Sequence, residues 1–551
     1  MKDKQMRSRK YIFVVGGVMS GVGKGVAASS IGKILQARGQ VVTAIKIDPY
    51  INVDAGTMNP TEHGEVFVLA DGYETDQDMG NYERFMGLKL SRDNYMTTGS
   101  VYQRVIERER NLEYHGKCVE VVPHIPLEVI GTIRRAAEKA DADVTIIEIG
   151  GTIGEYQNIL FLEAARMLKN EQPDDVLFVL VSYLPIPNKI GEMKTKPTQY
   201  ASRTLNSAGI QADFIVARAE RPLDDRRKEK IAVSCSMRPE SVISAPDVES
   251  IYDVPVNFEK DKLSDAILDR LKLRPKKSDL SVWKSKVSAI HRLKEEVKIA
   301  VVGKYFKTGD YVLSDAYISV IESLKHAAYA NKRLPKLVWI DSTEYEKDPK
   351  KLRELSGFDG VLIPGGFGAR GVEGKILAIE YCRKKGIPYF GICYGMQLAV
   401  IEYARHIAGL TGANTAEVNP KSPHLVIDVM PEQKAKIARK EYGGTMRLGE
   451  YPAVLKKGTI AEKAYGTKKI IERHRHRYEV NPEYIARLEE AGMVFSGTSP
   501  DGVLMEIAEL PKSVHPFFVG VQFHPEFQSS ILAPQPVFNA FIQAAVKHRK
   551  K

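Results

Sequence analysis

The chain has 551 residues, of which 43% are hydrophobic and 27% charged, so we expect a globular protein of two or three domains. No uninterrupted apolar run reaches the ~18 residues of a membrane span, so we expect no membrane partner. The net charge of +11 favours anionic ligands. Because no nucleic-acid-binding motif accompanies this charge, we expect polyphosphate ligands and no nucleic acid.

The four cysteines are far apart and include no CxxC pair, at Cys118, Cys235, Cys382 and Cys393. The sequence therefore predicts neither a zinc site nor a disulfide framework, and we expect a cytoplasmic protein. A basic N-terminus followed by an apolar stretch also occurs in signal peptides, but here Lys24 and several glycines interrupt the apolar stretch.

The first motif is the strand YIFVV (11–15) followed by GGVMSGVGKG (16–25). A strand, a glycine-rich loop and a helix form the phosphate-binding P-loop, in which backbone amides surround phosphate and Lys24 would reach the terminal phosphoryl groups. Gly25 stands where such loops carry a magnesium-binding Ser or Thr. The loop alone is therefore equally consistent with a nucleotide site and with a structural turn.

Two series of apolar strands alternate with helical stretches. The first comprises 11–17, 41–50, 144–151, 176–183 and 213–219, and the second 297–305, 336–341, 360–366, 387–395 and 517–526. Runs rich in β-branched residues at this spacing are typical of parallel sheets buried on both faces. The sequence predicts an α/β protein with two doubly wound parallel-sheet domains.

Carboxylates lie near the ends of the first series of strands. Asp71, Glu74, Asp76 and Asp78 form an acidic stretch that is also consistent with a solvated loop. Glu148 ends a strongly apolar strand, where a carboxylate is costly to bury unless it is paired or bound to metal. We expect Asp78 and Glu148 to hold Mg²⁺ in place of the missing hydroxyl.

The segment KTKPTQ (194–199) places two lysines around a turn proline, followed by Thr and Gln. Such a loop is often only solvated. Together with Lys24, Lys46 and Lys230 in the same domain, it favours a second nucleotide.

The segment 271–297 is charged and contains an amphipathic pattern with Val282, Val287, Ile290 and Leu293 on one predicted helix face. We expect a linker here. The predicted division is 1–275, a linker at 276–296, and 297–551.

The second domain contains a nucleophile motif, GICYG (391–395), between a strand and a helix. Glycines permit a sharp turn, and a helix N-terminus favours thiolate at Cys393. His524 and Glu526 follow the strand VGVQF and supply a base and its orienting carboxylate. The loop PGGFGARG (364–371) fits an oxyanion hole.

The segment RHRHRYEVN (473–481) is by charge a phosphate patch, and its histidines are weak evidence for metal.

The elbow, the Gly-Gly loop and the terminal HPE resemble the class I glutamine amidotransferases over about 297–545. The resemblance implies glutamine hydrolysis through a thioester on Cys393, with Cys393, His524 and Glu526 as catalytic residues.

Longer motifs resemble the CTP synthase family along nearly the whole chain. They include KIDPYINVDAGTMNPTEHGEVFV, DGYETDQDMGNYERF, VEVVPHIP, KTKPTQ, RHRHRYEVN and FHPEF. The resemblance implies a P-loop domain of the dethiobiotin-synthetase type and ATP-dependent amination of UTP, in which O4 is phosphorylated and ammonia then displaces the phosphate. It further implies an ammonia tunnel, activation by GTP, inhibition by CTP and a homotetramer, with filament assembly left open.

Matched position by position, the resemblance assigns the binding residues. ATP is assigned to Gly21, Val22, Gly23, Lys24, Gly25, Val26, Asp78, Pro246, Asp247 and Val248. UTP or CTP is assigned to Ser20, Glu155, Tyr156, Gln157, Lys194, Thr195, Lys196, Pro197, Thr198, Gln199 and Lys230, with Lys46 near the phosphates. Glutamine is assigned to Gly366, Tyr394, Gly395, Met396, Gln397, Glu417 and Arg477, and Mg²⁺ to Asp78 and Glu148.

Some positions depart from the family pattern. The segment Glu155–Gln157 replaces a common Asp-Ile-Glu, so we expect altered inhibition by CTP. Ala369 replaces a frequent Tyr beside Arg370, in the loop linked to GTP.

Two rival functions are another P-loop amidoligase, such as a cobyrinate amidase, and an inactive nucleic-acid-binding or filament-forming protein. KTKPTQ argues against the first, and the intact nucleophile, base and carboxylates argue against the second.

Overall fold

The computed structural model describes residues 8–189, 191–276, 279–304, 307–308, 311–312, 314–429 and 446–549. The chain forms two compact units. The first comprises Met1–Ala55 and Asp78–Ser288, and the second comprises Gly56–Gln77 and Ala289–Lys551. The segment Gly56–Gln77 thus belongs to the second unit, although the predicted division places it inside 1–275. In the described part of the chain, no helix is both long and apolar enough to cross a membrane.

The first unit is built on a seven-stranded sheet in which every neighbouring pair is parallel. From edge to edge its strands are Tyr95–Thr97, Val42–Asp48, Val144–Ile149, Lys10–Gly16, Val176–Tyr183, Phe214–Ala219 and Val242–Pro246. Its described helices are Lys24–Gln36, Asp78–Met86, Thr98–Arg110, Val121–Lys139, Ile159–Glu171, Lys196–Ser207, Asp225–Ser234, Val254–Lys260, Leu263–Arg270 and Ser281–Ile290. The predicted parallel sheet is confirmed here.

The strand order of this sheet reverses at Lys10–Gly16, whose seven residues are all buried. The next strands along the chain lie on one side of it and the later ones on the other. Ligands of doubly wound folds bind at the carboxyl ends of the strands at such a switch point. The glycine-rich loop follows this strand and therefore lies at that position.

The second unit has a nine-stranded sheet. In order across the sheet, the strands are Leu334–Asp341, Glu296–Gly303, Gly360–Ile363, Tyr389–Ile392, Phe518–Val521, Met505–Glu509, Val494–Thr498, Arg447–Leu455 and Lys469–His476. Its described helices are Pro60–His63, Ile318–Ala330, Thr343–Lys347, Val372–Lys385, Tyr394–His406, Ile460–Tyr465, Ile485–Glu490 and Pro536–Arg549. Short strands lie at Phe67–Val68, Glu74–Thr75, Lys307–Thr308, Tyr311–Val312, Asn414–Thr415, Leu425–Val429 and Tyr478–Val480.

The predicted parallel sheet is present in the second unit, but it makes up only part of the observed sheet. The first five strands in this order are parallel, and the remaining four are joined by antiparallel pairing. Along Arg447–Leu455 buried and part-exposed residues largely alternate, as in antiparallel strands with one covered face. This weaker pattern lacks the continuous apolar run by which the parallel strands are recognised.

The predicted face of the helix in the 276–296 segment is wrong at Val282, which is 61% exposed. Trp283 is buried instead, and its indole Nε1 donates to the Tyr252 carbonyl oxygen at 2.9 Å. The buried positions 283, 287 and 290 follow true helical spacing, whereas 282 and 287 are five residues apart. The helix ends at Ile290, so Leu293 lies beyond it.

Replacing Trp283 by Ala should destabilise the first unit. The substitution removes the contacts of the indole ring with Phe85 and Tyr252, whose ring centroids lie 5.5 and 5.8 Å away, and such a loss costs about 3–5 kcal/mol. Calorimetric melting should show a lowered transition for Trp283→Ala and little change for Val282→Ala. Equal transitions in the two variants would contradict this assignment of the buried face.

Candidate active sites

The loop between the strand Lys10–Gly16 and the helix that starts at Lys24 has left-handed backbone at three positions. Val18, Gly21 and Gly23 have φ of 78°, 70° and 86°. Lys24 is buried, and its Nζ donates to the Gly151 carbonyl oxygen at 2.9 Å. Burial lowers the pKa of Lys24. The free amides of the helix start and this ammonium form an anion-binding arrangement.

Gly25 has no side chain because Asp78 occupies the adjacent space. A Cβ at Gly25 would lie 2.0 Å from Oδ1 of Asp78. The Asp78 carboxylate therefore occupies the space beside the position where standard P-loops carry Ser or Thr. The glycine at position 25 is therefore needed to leave room for the carboxylate of Asp78.

Asp78 and Glu148 converge on the ammonium of Lys46, whose Nζ lies 2.5 Å from Asp78 Oδ2 and 2.9 Å from Glu148 Oε1. Burial raises the pKa of Glu148, and the charge of Asp78 adds to this. Burial would also raise the pKa of Asp78, but Lys46 and Lys24 together hold it below its ordinary value. The buried carboxylate of Glu148 and the part-exposed carboxylate of Asp78 face one cation beside the P-loop, and together they fit the donor set of Mg²⁺. The Tyr82 hydroxyl, which the sequence did not indicate, donates to the other oxygen of Glu148.

The KTKPTQ segment lies next to the glycine-rich loop. A Cβ at Gly17 would lie 2.5 Å from that of Ala201 in the helix Lys196–Ser207. Thr198 is buried and shares a hydrogen bond with Ser182 at 2.8 Å, and Gln199 Nε2 donates to Thr195 Oγ1 at 3.2 Å. Thr198 therefore holds the start of the helix, while Lys196 is exposed.

Lys194 and Lys230 both act on Glu192. Lys194 donates to this carboxylate at 2.7 Å, and its hydrogen bond is the largest cause of the lowered pKa of Glu192, to which Lys230 contributes. Both predicted lysines therefore lower the pKa of this carboxylate.

Arg218 joins two predicted ATP segments, and sequence reasoning missed it. Its Nη1 donates to the Val22 carbonyl oxygen at 3.1 Å and its Nη2 to Asp247 Oδ1 at 2.7 Å. The segment 246–248 thereby lies close to the glycine-rich loop. A cation at the end of a neighbouring parallel strand was the signal that could have identified Arg218.

The segment Glu155–Gln157 lies near the same loop. Glu155 accepts a hydrogen bond from Gln157 Nε2 at 2.7 Å and lies against Gly151, the partner of Lys24. Tyr156 is 94% exposed, and Ser20 is also exposed. Both side chains are accessible to a ligand.

In the second unit, Cys393 occupies a strained turn with φ 49° and ψ −100° between the strand Tyr389–Ile392 and the helix Tyr394–His406. The flanking glycines are required sterically. A Cβ at Gly391 would lie 2.7 Å from the carbonyl carbon of Gly395, and one at Gly395 would lie 2.3 Å from the Ile363 carbonyl oxygen. This is the nucleophile-elbow geometry that the motif predicts.

The imidazole of His524 is held by Glu526, with Nδ1 and Oε1 2.7 Å apart. His524 and Cys393 flank Gly365, because a Cβ there would lie 2.8 Å from His524 Cε1 and 3.7 Å from Cys393 Cβ. Burial would lower the pKa of His524, but Glu526 and Cys393 raise it to about 10. The arrangement favours an imidazolium at His524, beside the Cys393 sulfur.

The strand Lys469–His476 supports Cys393 and His524, the predicted nucleophile and base. The His524 amide donates to the Arg473 carbonyl oxygen at 2.7 Å, and the Arg475 carbonyl oxygen lies 3.9 Å from Cys393 Sγ. Gln522, which sequence reasoning missed, places Nε2 3.7 Å from the same sulfur. Backbone carbonyl groups of the RHRHRYEVN motif, at Arg473 and Arg475, thus help to position His524 and Cys393.

A cavity of about 710 Å³ opens beside Cys393. The predicted glutamine residues Gly366, Gln397, Glu417 and Arg477 line it. Glu417 accepts a hydrogen bond from the Gly368 amide at 2.8 Å. Burial raises the pKa of Glu417, while this hydrogen bond, Lys304 and Arg477 oppose the shift.

The other three predicted glutamine residues lie behind this surface. The Tyr394 hydroxyl donates to the Gly368 carbonyl oxygen at 3.0 Å. Met396 is fully buried, and its backbone and side chain lie against Gly520. The contact of Gly395 with Ile363 likewise turns it to the core.

The segment Gly56–Gln77 packs onto the strand Lys469–His476 of the second unit. Glu74 accepts from Arg475 Nε at 2.8 Å, and the Val68 carbonyl oxygen accepts from Arg473 Nη1 at 3.1 Å. Phe67 packs edge-to-face on Phe527, with centroids 4.9 Å apart. The acidic stretch that contains Glu74 therefore contributes in part to the second unit, a role that its position in the sequence did not indicate.

Comparisons with known proteins cover both units. The family described as CTP synthase N-terminus matches residues 10–273, and the class-I glutamine amidotransferase family matches residues 312–544. A CTP synthase of Halalkalibacterium halodurans is 48% identical over 98% of this chain and 99% of its own length. A CTP synthase of Pyrococcus furiosus is 50% identical, with the same coverage. A solved Trypanosoma brucei glutaminase domain with bound acivicin is 37% identical over 46% of this chain and 94% of that one, with a TM-score of 0.42. The two family matches and the full-length relatives show that this chain belongs to the CTP synthase family.

Proposed function

We propose that the protein converts UTP to CTP with ATP and with ammonia released from glutamine, a step of pyrimidine nucleotide synthesis. The observation that carries the proposal is that one chain contains two sets of residues. One unit contains Cys393, His524 and Glu526, and the other contains Lys24, Asp78 and Glu148. The first set suits amide hydrolysis, and the second suits phosphoryl transfer.

In the glutaminase step, the Cys393 thiolate attacks the carboxamide carbon of glutamine. His524 donates its proton to the departing ammonia, and water then hydrolyses the thioester. Backbone amides of the 364–371 loop stabilise the oxyanion. Arg477 binds the α-carboxylate of glutamine, and Glu417 binds its amino group. The positions of Arg477 and Glu417 on the cavity wall beside Cys393 support these roles.

In the synthase step, Lys24 and the amides of 21–26 hold the ATP phosphates, and Asp247 lies near the adenine. Asp78 and Glu148 are the residues that would hold Mg²⁺, which neutralises phosphate charge during transfer. Ser20, the segments 155–157 and 194–199, and Lys230 bind the pyrimidine nucleotide. Phosphorylation of O4 makes that oxygen a good leaving group for the ammonia supplied by the glutaminase.

We further propose GTP activation through the loop that contains Arg370. Arg370 is 70% exposed at its side chain and lines the cavity that contains Cys393. Glutamine hydrolysis measured with and without GTP tests this role, and equal rates would refute it. CTP inhibition is proposed through the UTP site.

We also propose a cytoplasmic homotetramer. The four free cysteines are consistent with a reducing compartment. The contacting helices Thr98–Arg110 and Val121–Lys139 expose Ile106 and Leu127 at 55% and 50%, which supports an interface between copies. Sedimentation of the wild-type protein measures the assembly, and a monomer with UTP and ATP bound would refute the tetramer.

Cys393→Ala should abolish CTP formation from glutamine and retain it from ammonia, because the two units perform separate chemistry. Both rates are measured with UTP, ATP and magnesium. Cys382→Ala is the matched control, since Cys382 is buried elsewhere and burial raises the pKa of its thiol. Loss of both rates in a folded Cys393→Ala protein would refute this division.

Glu526→Gln should shift the alkaline limb of the pH profile for glutamine hydrolysis to lower pH. The carboxylate of Glu526 raises the pKa of His524, while burial opposes the charge. Without that carboxylate the imidazolium is lost at lower pH, by at least about one pH unit. The profile of kcat/KM against pH measures the shift. An unchanged alkaline limb would show that Glu526 does not set the charge of His524.

Gly25→Ser should lower CTP formation from both nitrogen sources by about 100-fold, because the new side chain displaces Asp78. Glutamine hydrolysis serves as the internal control and should continue. Lys24→Ala should give the same pattern. A Gly25→Ser protein with a normal ammonia-dependent rate would contradict the role of Asp78.

A further inference from the structure

A second large cavity, of about 890 Å³, lies in the glutaminase unit away from Cys393. Its wall contains Gly386 and Phe517, which precede the parallel strands Tyr389–Ile392 and Phe518–Val521. Cys393 and His524 follow the opposite ends of these strands. The cavity therefore lies at the amino edge of the sheet and shares no lining residue with the cavity of about 710 Å³ beside Cys393.

The charge around this cavity is strongly positive. Six lysines line it, at Lys385, Lys456, Lys457, Lys463, Lys512 and Lys547. All six are exposed. Among the described side chains, only Lys456 has a carboxylate within ion-pair distance, at 3.9 Å from the exposed Glu489. Charge of one sign on the walls of a cavity concentrates ligands of the opposite sign.

The single lining carboxylate, Glu509, does not neutralise these lysines. It is 2% exposed and accepts hydrogen bonds from the backbone amides of Ile460 and Ala461 at 2.7 and 3.0 Å. His515 is likewise occupied, because its ring bonds the Cys382 carbonyl oxygen and the Phe517 amide, both at 3.2 Å. The lysines thus remain available to a ligand.

The cavity also has an apolar part. Ile460, Val494, Val514, Ala540 and Ala544 contribute to its wall. Its volume falls within the range of small-molecule sites, roughly 300–1,000 Å³. A lysine ring around an apolar wall suits a ligand with an anionic end and an apolar body.

We propose that this cavity binds a polyphosphate ester, a ligand with several phosphate charges attached to an apolar or aromatic body. Lysines bind phosphate as point charges. Six lysines supply more positive charge than a ligand with a single carboxylate would require. A nucleic-acid strand is disfavoured because such sites offer exposed aromatic rings for base stacking, whereas Phe517 is 3% exposed. The site lies opposite the carboxyl edge at which α/β folds bind their substrates, so it adds a binding function to the proposed catalysis and does not rest on it.

Lysine footprinting of the full-length protein tests the proposal. Amine acetylation is followed residue by residue by mass spectrometry, with inorganic tripolyphosphate or ATP as the probe. Both probes should slow labelling of the six lysines at least threefold. ATP should protect at a concentration about tenfold lower, which corresponds to ~1.4 kcal/mol, because its nucleoside contacts the apolar wall. The exposed Lys468 and Lys469 lie outside the cavity and should label unchanged.

Three footprinting results would overturn the proposal. The first is protection of the six lysines no greater than that of Lys468 and Lys469. The second is equal protecting concentrations of tripolyphosphate and ATP, which would remove the apolar body from the proposal. The third is protection by a single-stranded oligonucleotide at a lower concentration than ATP, which would assign the surface to nucleic acid.

A pair of charge-reversed variants gives a second, independent measurement. Lys457→Glu/Lys512→Glu changes two exposed cavity lysines, and Lys468→Glu/Lys469→Glu makes the same charge change outside the cavity. The first variant should require at least about fivefold more ATP to protect Lys463 and Lys547, and the second should match wild type. Equal weakening in both would show attraction to overall charge and would refute a built site. Melting temperatures confirm folding without any activity assay, so the result is separable from failure of the proposed function.

Discussion

Parallel strands buried on both faces leave ligands room only at the strand ends, and both units place their chemistry there. In the first unit the glycine-rich loop follows one strand of the parallel sheet, and Glu148 and Arg218 lie near the ends of two other strands of that sheet. In the second, Cys393 and His524 follow two adjacent parallel strands. The same constraint explains why the side chains of each site come from segments far apart in the chain.

Buried charge imposes the second constraint. The ammonium of Lys46 lies between Asp78 and Glu148, and without it the two carboxylates would repel each other and the fully buried Glu148 would lack compensation. In the glutaminase site, Glu526 similarly compensates the burial of a charged His524. In each case the interaction that makes burial tolerable also prepares the group for its proposed chemistry, a cation site in one unit and an imidazolium–thiolate pair in the other.

Much of the architecture was predictable because its signals are local. The apolar runs identified all five predicted strands of each series, and the GICYG and HPE motifs identified the elbow and its base. The antiparallel strands from Arg447 to Glu509 were missed because they lack a continuous apolar run. Arg447–Leu455 is only partly buried, and Met505–Glu509 is buried throughout but contains two glutamates. Val282 was misplaced because its spacing from Val287 does not follow a helical repeat, and Trp283 occupies the buried position.

The sequence by itself determined the fold class and the family and indicated the candidate reactive groups, because glycine-rich turns, strand ends and nucleophile motifs consist of consecutive residues. Only the tertiary structure explains why Gly25 lacks a side chain. The carboxylate of Asp78, more than fifty positions away in the chain, occupies the space beside it. The tertiary structure likewise decided that Gly56–Gln77 packs with the glutaminase unit through Glu74 and Phe67, and that six lysines from separate segments surround one cavity. Contacts between distant segments depend on how the strands are ordered in the sheet, and the local sequence pattern does not encode that order.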